Sequence, residues 1–218
     1  MGDIATFRCT DEGPGARLAA EARGALADAV RGWRREAPAA VVVEVDGQAW
    51  AHVPDVADLT DQATIGKAQG LVTALFALDC PVIVAVDSAV SGLGTALLLT
   101  ADVRIGGPHV TVAVGEAPAA ALVGATGWLA ARAGAAPAAA RLTWTGGTLD
   151  ADAAVAGGLL TTPGTAADAH ACASRLAADP AGWSAVKRAD RTRARPELAE
   201  TLRYHSWLTD LALRPDGK

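Results

Sequence analysis

Aromatic residues make up only 4% of this chain of 218 residues, so its interior cannot be organised around large rings. Hydrophobic residues nevertheless reach 51%, and a core must therefore be assembled largely from Ala, Val and Leu. Small side chains of that kind favour close helix–sheet and helix–helix approach. Cysteine is scarce as well: Cys9, Cys80 and Cys172 are odd in number and far apart. They form no metal or redox pattern, so no metal site is expected, and a reducing cytoplasm is the expected compartment. The opening MGDIATFRCTDEG has no basic n-region and no apolar h-region, and no secretion signal is expected. The longest largely apolar stretch, Val82–Val103, is interrupted by Asp87, Ser91, Gly92, Gly94 and Asp102 and is not a membrane span. Basic residues are outnumbered, 19 Lys and Arg against 24 Asp and Glu, which argues against nucleic acid as the main partner.

What is present alternates between two periodicities. Ile4–Cys9, Val41–Val45, Pro81–Val86, Val103–Ile105 and Val110–Val114 read as strands, the valine-rich ones as strands covered on both faces. Ala16–Ala37 and Asp61–Leu78 repeat apolar residues at helical spacing, and Gly94–Ala101 is a short apolar helix. Leu122–Ala140 is mostly helical, with Pro137 beginning a new helix. Asp150 is a natural cap for a helix over Ala151–Ala156. Ala166–Ala178 and Trp183–Leu213 are helical, the latter with a break expected near Pro196. Strands alternating with longer helices predict an α/β fold with a mainly parallel sheet. The organisation expected is a core over 1–165 and a helical region over 166–218. Lys187, Arg188, Arg191, Arg193 and Arg195 concentrate positive charge there, which predicts an exposed or ligand-facing helical layer.

Chemistry concentrates between Cys80 and Glu116. A β-rich run enters a turn containing Gly92 and Gly94, and a buried helix follows. Backbone N–H groups at such a helix start can receive an anion or a polarised carbonyl. Asp87 reads as a turn former. Glu116, after the next strand, is the nearby residue best suited to moving a proton, and position 96, on the helix, is alanine.

Three blocks carry a family resemblance: CPVIVAVDSAVSGLGTALLLTADVRIG, VAVGEAPAAALVGATG and WTGGTLDADAAVAGGLL. In order and spacing they resemble the crotonase superfamily, the enoyl-CoA hydratase/isomerase family, over roughly Val41 to Leu160. The resemblance implies a crotonase-like ββα spiral with a C-terminal helical layer. It also implies an oxyanion hole, two backbone N–H groups around the carbonyl of a coenzyme A thioester. One donor corresponds to Leu93, between Gly92 and Gly94. The other falls on His52 when Trp50 is matched to the family's aromatic residue, or on Asp55 in a second register. The His52 register is preferred because Gly47 then keeps the usual spacing to the aromatic. Either register replaces the motif's glycine with a valine, Val53 or Val56. Of the two glutamates that family hydratases use, the later corresponds to Glu116 and the earlier to Ala96.

Trp50 and Trp144 are candidates for an acyl pocket or for core packing. Arg17, Lys67, Lys187 and Arg188 are candidates for the phosphates of coenzyme A. The chain ends soon after Trp207, without the family's common EGxxAF stretch. The resemblance thus implies an acyl-CoA-processing enzyme of the isomerase, hydratase or dehydratase type, with no covalently bound cofactor. The alternative is a non-catalytic helper of a partner acyl-CoA or polyketide-type synthase. Brevity and the missing glutamate are similar to members serving secondary metabolism and antibiotic biosynthesis, including routes to dihydroxyphenylglycine. Assembly as a homo-trimer or hexamer is implied, with a pathway synthase as another possible partner.

Overall fold

A computed structural model of the protein describes residues 2–9, 20–47, 49–50, 62–115 and 122–213. Its first half alternates strand and helix: β1 (Ile4–Cys9), α1 (Ala20–Arg35), β2 (Ala40–Val45), α2 (Gln62–Phe76) and β3 (Val82–Val86). After a two-residue strand β4 (Ala89–Val90) come α3 (Leu93–Thr100), β5 (Val103–Gly106) and β6 (Thr111–Val112). The remainder is α4 (Thr126–Arg132), α5 (Ala136–Thr145), β7 (Leu149–Asp150), α6 (Ala151–Ala156), β8 (Thr162–Pro163), α7 (Ala166–Leu176) and α8 (Pro180–Leu213).

The parallel sheet expected from the alternation is present, in the order β1-β2-β3-β5-β8. Both faces of its central strands are covered, and the valines sort by parity because successive side chains point to opposite faces. Val41, Val43, Val82, Val84 and Val86 enter the main core with α2 and α3. Ala40, Val42, Ile83 and Ala85 face Ala169 and Ala173 of α7. A second sheet, β4-β6-β7, has β4 parallel and β7 antiparallel to β6. Strands β4, β7 and β8 are absent from the sequence reading, since two residues carry no periodicity. Pro137 does lie in the first turn of a new helix, and the Asp150 carboxylate accepts the Ala153 N–H at 2.9 Å.

Two expectations for the C-terminal region are corrected. Helix α8 runs unbroken through Pro196. A proline removes one helical donor and crowds the preceding turn; here the flanking turns are held independently, by buried Ala194, Leu198 and Leu202. The basic residues are also not an exposed layer throughout. Lys187, Arg191 and Arg195 recur every fourth residue, on one helix face, and that face turns inward. Lys187 Nζ meets Asp102 Oδ2 at 2.6 Å and donates to the Cys80 carbonyl at 2.7 Å. Arg191 meets Asp102 Oδ1 at 2.5 Å and donates to the carbonyls of Phe76 and Thr100, the last residues of α2 and α3. Arg195 reaches Asp79 and the Ala77 carbonyl. Lys187, one of the residues proposed to meet coenzyme A phosphates, is thus occupied inside the protein. Burial pulls its pKa below the ordinary lysine value, against the opposing pull of Asp102.

Asp102 also accepts the Val82 N–H at 2.8 Å. Replacing it with asparagine strands two buried cations, and Asp102→Asn should lower unfolding free energy by about 3–5 kcal/mol, measured by chemical denaturation. A loss below about 1 kcal/mol, the scale of an exposed pair, would show that the network contributes little.

Candidate active site

The first turn of α3 carries Leu93, one of the two expected donors. Gly92 precedes it with φ 55° and ψ −121°, a conformation that a Cβ disfavours. The chain thereby turns sharply enough to point the Leu93 N–H out of the helix start. No described backbone carbonyl outside the helix accepts that N–H, as befits a first-turn donor. The Leu93 side chain is wholly buried in the main core.

Trp50 forms the wall of this turn. Its carbonyl accepts the Ser91 N–H at 3.0 Å, and a Cβ on Gly94 would lie 2.5 Å from that same oxygen. Glycine at 94 therefore permits a close approach of α3 to Trp50. The indole is fully buried, and its Nε1 has no hydrogen-bond partner among the described residues. Burial pushes the pKa of the Cys9 thiol above the ordinary cysteine value. Trp144, by contrast, stands 86% exposed on α5, which corrects the core-packing reading of that residue.

Ala96 is completely buried. A Cβ on Gly124 would collide with the Ala96 methyl group, so α3 and the chain before α4 meet there at backbone range. The place that the family resemblance gives to a first glutamate is filled by packing. Thr95, which the sequence reading passed over, donates to the Ala113 carbonyl at 2.5 Å. With Ala113 N–H on the Val90 carbonyl, this ties the strand leading to Gly115 against the first turn of α3. A threonine on an apolar helix carries no signal of such a bond until its partner strand is known. Asp87, expected to form a turn before the glycines, instead reaches across to the turn after β5: its carboxylate accepts the His109 N–H at 2.9 Å.

His52, Asp55, Glu116 and Arg17 lie outside the described residues. Lys67 and Arg188 are exposed. Two cavities, of about 290 and 600 Å³, are lined by residues away from the Gly92 turn.

Neither a protein-family model nor a curated protein matches the sequence. Solved structures do match its backbone. An enoyl-CoA hydratase/isomerase from Pseudoalteromonas atlantica T6c superposes with a TM-score of 0.80 at 20% identity, over 100% of this chain and 92% of the other. This is the crotonase fold. An enoyl-CoA isomerase from Mycobacterium tuberculosis gives 0.78 at 19% identity, over 94% of each chain. An enoyl-CoA hydratase from Bacillus halodurans gives 0.77 at 16%, over 97% of this chain and 94% of the other. At such identities the likeness concerns architecture. Within the crotonase fold the buried α3 and its glycine turn are the described part of the candidate site.

A Cβ at either glycine should loosen this turn. Gly94→Ala forces Trp50 away and should cost about 1–3 kcal/mol by overpacking; Gly92→Ala should cost a similar amount by backbone strain, about 1–3 kcal/mol. Denaturation midpoints equal to that of the unaltered protein in both variants would contradict the close packing of α3 on Trp50.

Proposed function

We propose that the protein binds an acyl-CoA thioester with its carbonyl oxygen at the Leu93 N–H and moves a proton with Glu116, as an isomerase of carbon–carbon double bonds. The second donor in this reading is the N–H of His52, or of Asp55 in the other register. Two backbone donors of this kind would stabilise negative charge as it develops on the thioester oxygen. The observation that carries the choice of reaction is the environment of Ala96. Adding water across a double bond requires both orienting the water and delivering a proton to carbon, work suited to a pair of carboxylates. With Ala96 buried against Gly124, position 96 supplies neither a carboxylate nor room for one. Moving a proton between two carbons can run with one base, and Glu116 is the residue available for it.

Glu116→Gln should lower turnover by about 10²–10⁴-fold, the usual contribution of a general base, with stability little changed. The direct measurement is exchange of acyl-CoA α-protons with deuterium by the isolated protein, followed by mass spectrometry. Exchange that persists unchanged in the variant would remove Glu116 from the mechanism.

A second reading has its own support. Trp183, Tyr204, Trp207 and Leu211 are all exposed on α8, with Tyr204 and Trp207 stacked at 5.7 Å. An exposed aromatic surface on a chain so poor in aromatics suits assembly, either a homo-trimer or hexamer or a complex with a pathway synthase. In the latter case the protein would act as a helper in secondary metabolism, for example on a route to dihydroxyphenylglycine. Sedimentation across a micromolar concentration series should show an oligomer; a monomer throughout, together with no deuterium exchange in isolation, would favour the helper role.

A further inference from the structure

We propose that the cavity at the C-terminal end of α3 is a binding site for a phosphate group, separate from the glycine turn at the helix's other end. Eight residues of helix, about 12 Å at ~1.5 Å per residue, separate the two. The cavity encloses about 290 Å³ and is lined by Arg104, Arg132 and Arg191, by Asp102 and Asp190, and by apolar groups including Leu129. That volume is well above the roughly 30 Å³ share of one water molecule.

The charges there do not balance among the described residues. Asp102 is shared by Lys187 and Arg191. Asp190 receives Arg132, through Nη2 to both carboxylate oxygens at 2.9 Å. Arg104 has no carboxylate within ion-pairing distance: its Nε, Nη1 and Nη2 donate to the carbonyls of Leu159, Ala101 and Gly158 at 2.9, 3.1 and 3.3 Å. Those carbonyls orient the guanidinium without neutralising it. Three lining arginines thus face two carboxylates, one of which, Asp102, is also engaged by Lys187 from outside the lining, and Arg104, Arg191 and Lys187 are buried. Excess positive charge held away from water is costly unless an anion accompanies it.

The geometry suits a tetrahedral oxyanion. Arg132 spends only Nη2 on Asp190, leaving Nε and Nη1 for a ligand, and its side chain is 33% exposed. A guanidinium offers paired donors that match phosphate oxygens. A phosphate monoester carries about −1.5 to −2 charge near neutral pH, enough to offset the excess of the lining arginines and of Lys187 behind them. Burial also lowers the pKa values of Arg104 and Arg191 from the usual arginine value, against the opposing pull of Asp102.

The test is calorimetric titration of the intact protein with inorganic phosphate at constant ionic strength set by sodium chloride, with glycerol phosphate as the monoester arm. Binding of phosphate alone assigns the site to the free ion, and binding of both assigns it to the phosphate group of a larger molecule. Arg132→Gln, at a partly exposed position, should weaken binding by roughly tenfold or more, the loss of one charged hydrogen bond. Asp190→Asn removes a competing carboxylate and should tighten it. No heat with either probe, or affinity unchanged in both variants, would overturn the proposal. Because no acyl-CoA is present, the outcome is independent of the reaction proposed for the glycine turn.

Discussion

The Asp102 carboxylate joins the beginning of the central sheet to the long C-terminal helix, and much of the architecture rests on that junction. It accepts an N–H from the first residue of β3 and two cations from α8. Those cations then reach carbonyls at Phe76, Cys80 and Thr100. The last carbonyls of a helix have no partner within it, and here the ends of α2 and α3 are satisfied by one arginine from a third helix. Because α3 is rigid and short, fixing its C-terminal end also helps to fix the glycine turn at its start. The glycine turn is thereby coupled to a polar network at the other end of the same helix.

Close packing of small side chains is the second constraint. Gly94 lets α3 meet the Trp50 backbone, and Gly124 lets the chain before α4 meet Ala96. Both contacts follow from a composition poor in rings and rich in alanine and glycine. The same economy of volume leaves Ala96 fully buried, with no room beside it for a longer side chain.

The burial of Lys187 and Arg191 shows how charge patterning can mislead. A stripe of cations at four-residue spacing on a helix ordinarily faces solvent, since ionised groups lose hydration on burial. Here it faces inward because a carboxylate and several orphan carbonyls wait at matching positions. None of those partners is near the stripe in sequence, so nothing local distinguishes this helix from a solvated one. The apolar turns around Pro196 act similarly, holding the helix through a residue that would terminate it in isolation.

By itself the sequence determined the elements whose causes are local: the valine strands by their β-branched runs, the helices by their apolar periodicity, the α6 cap by Asp150, and the turn at Gly92 by a residue able to take positive φ. Order and spacing of three blocks also made the crotonase fold legible. The tertiary structure decided what depends on distant partners: the short second sheet, the threonine bond between Thr95 and Ala113, the inward turn of the basic stripe and the exposure of Trp144. It likewise decided that Ala96 is enclosed by Gly124. Sequence specifies which donors, acceptors and volumes are available, but only folding brings residues 18 to 118 positions apart within bonding distance and so settles which of them become partners.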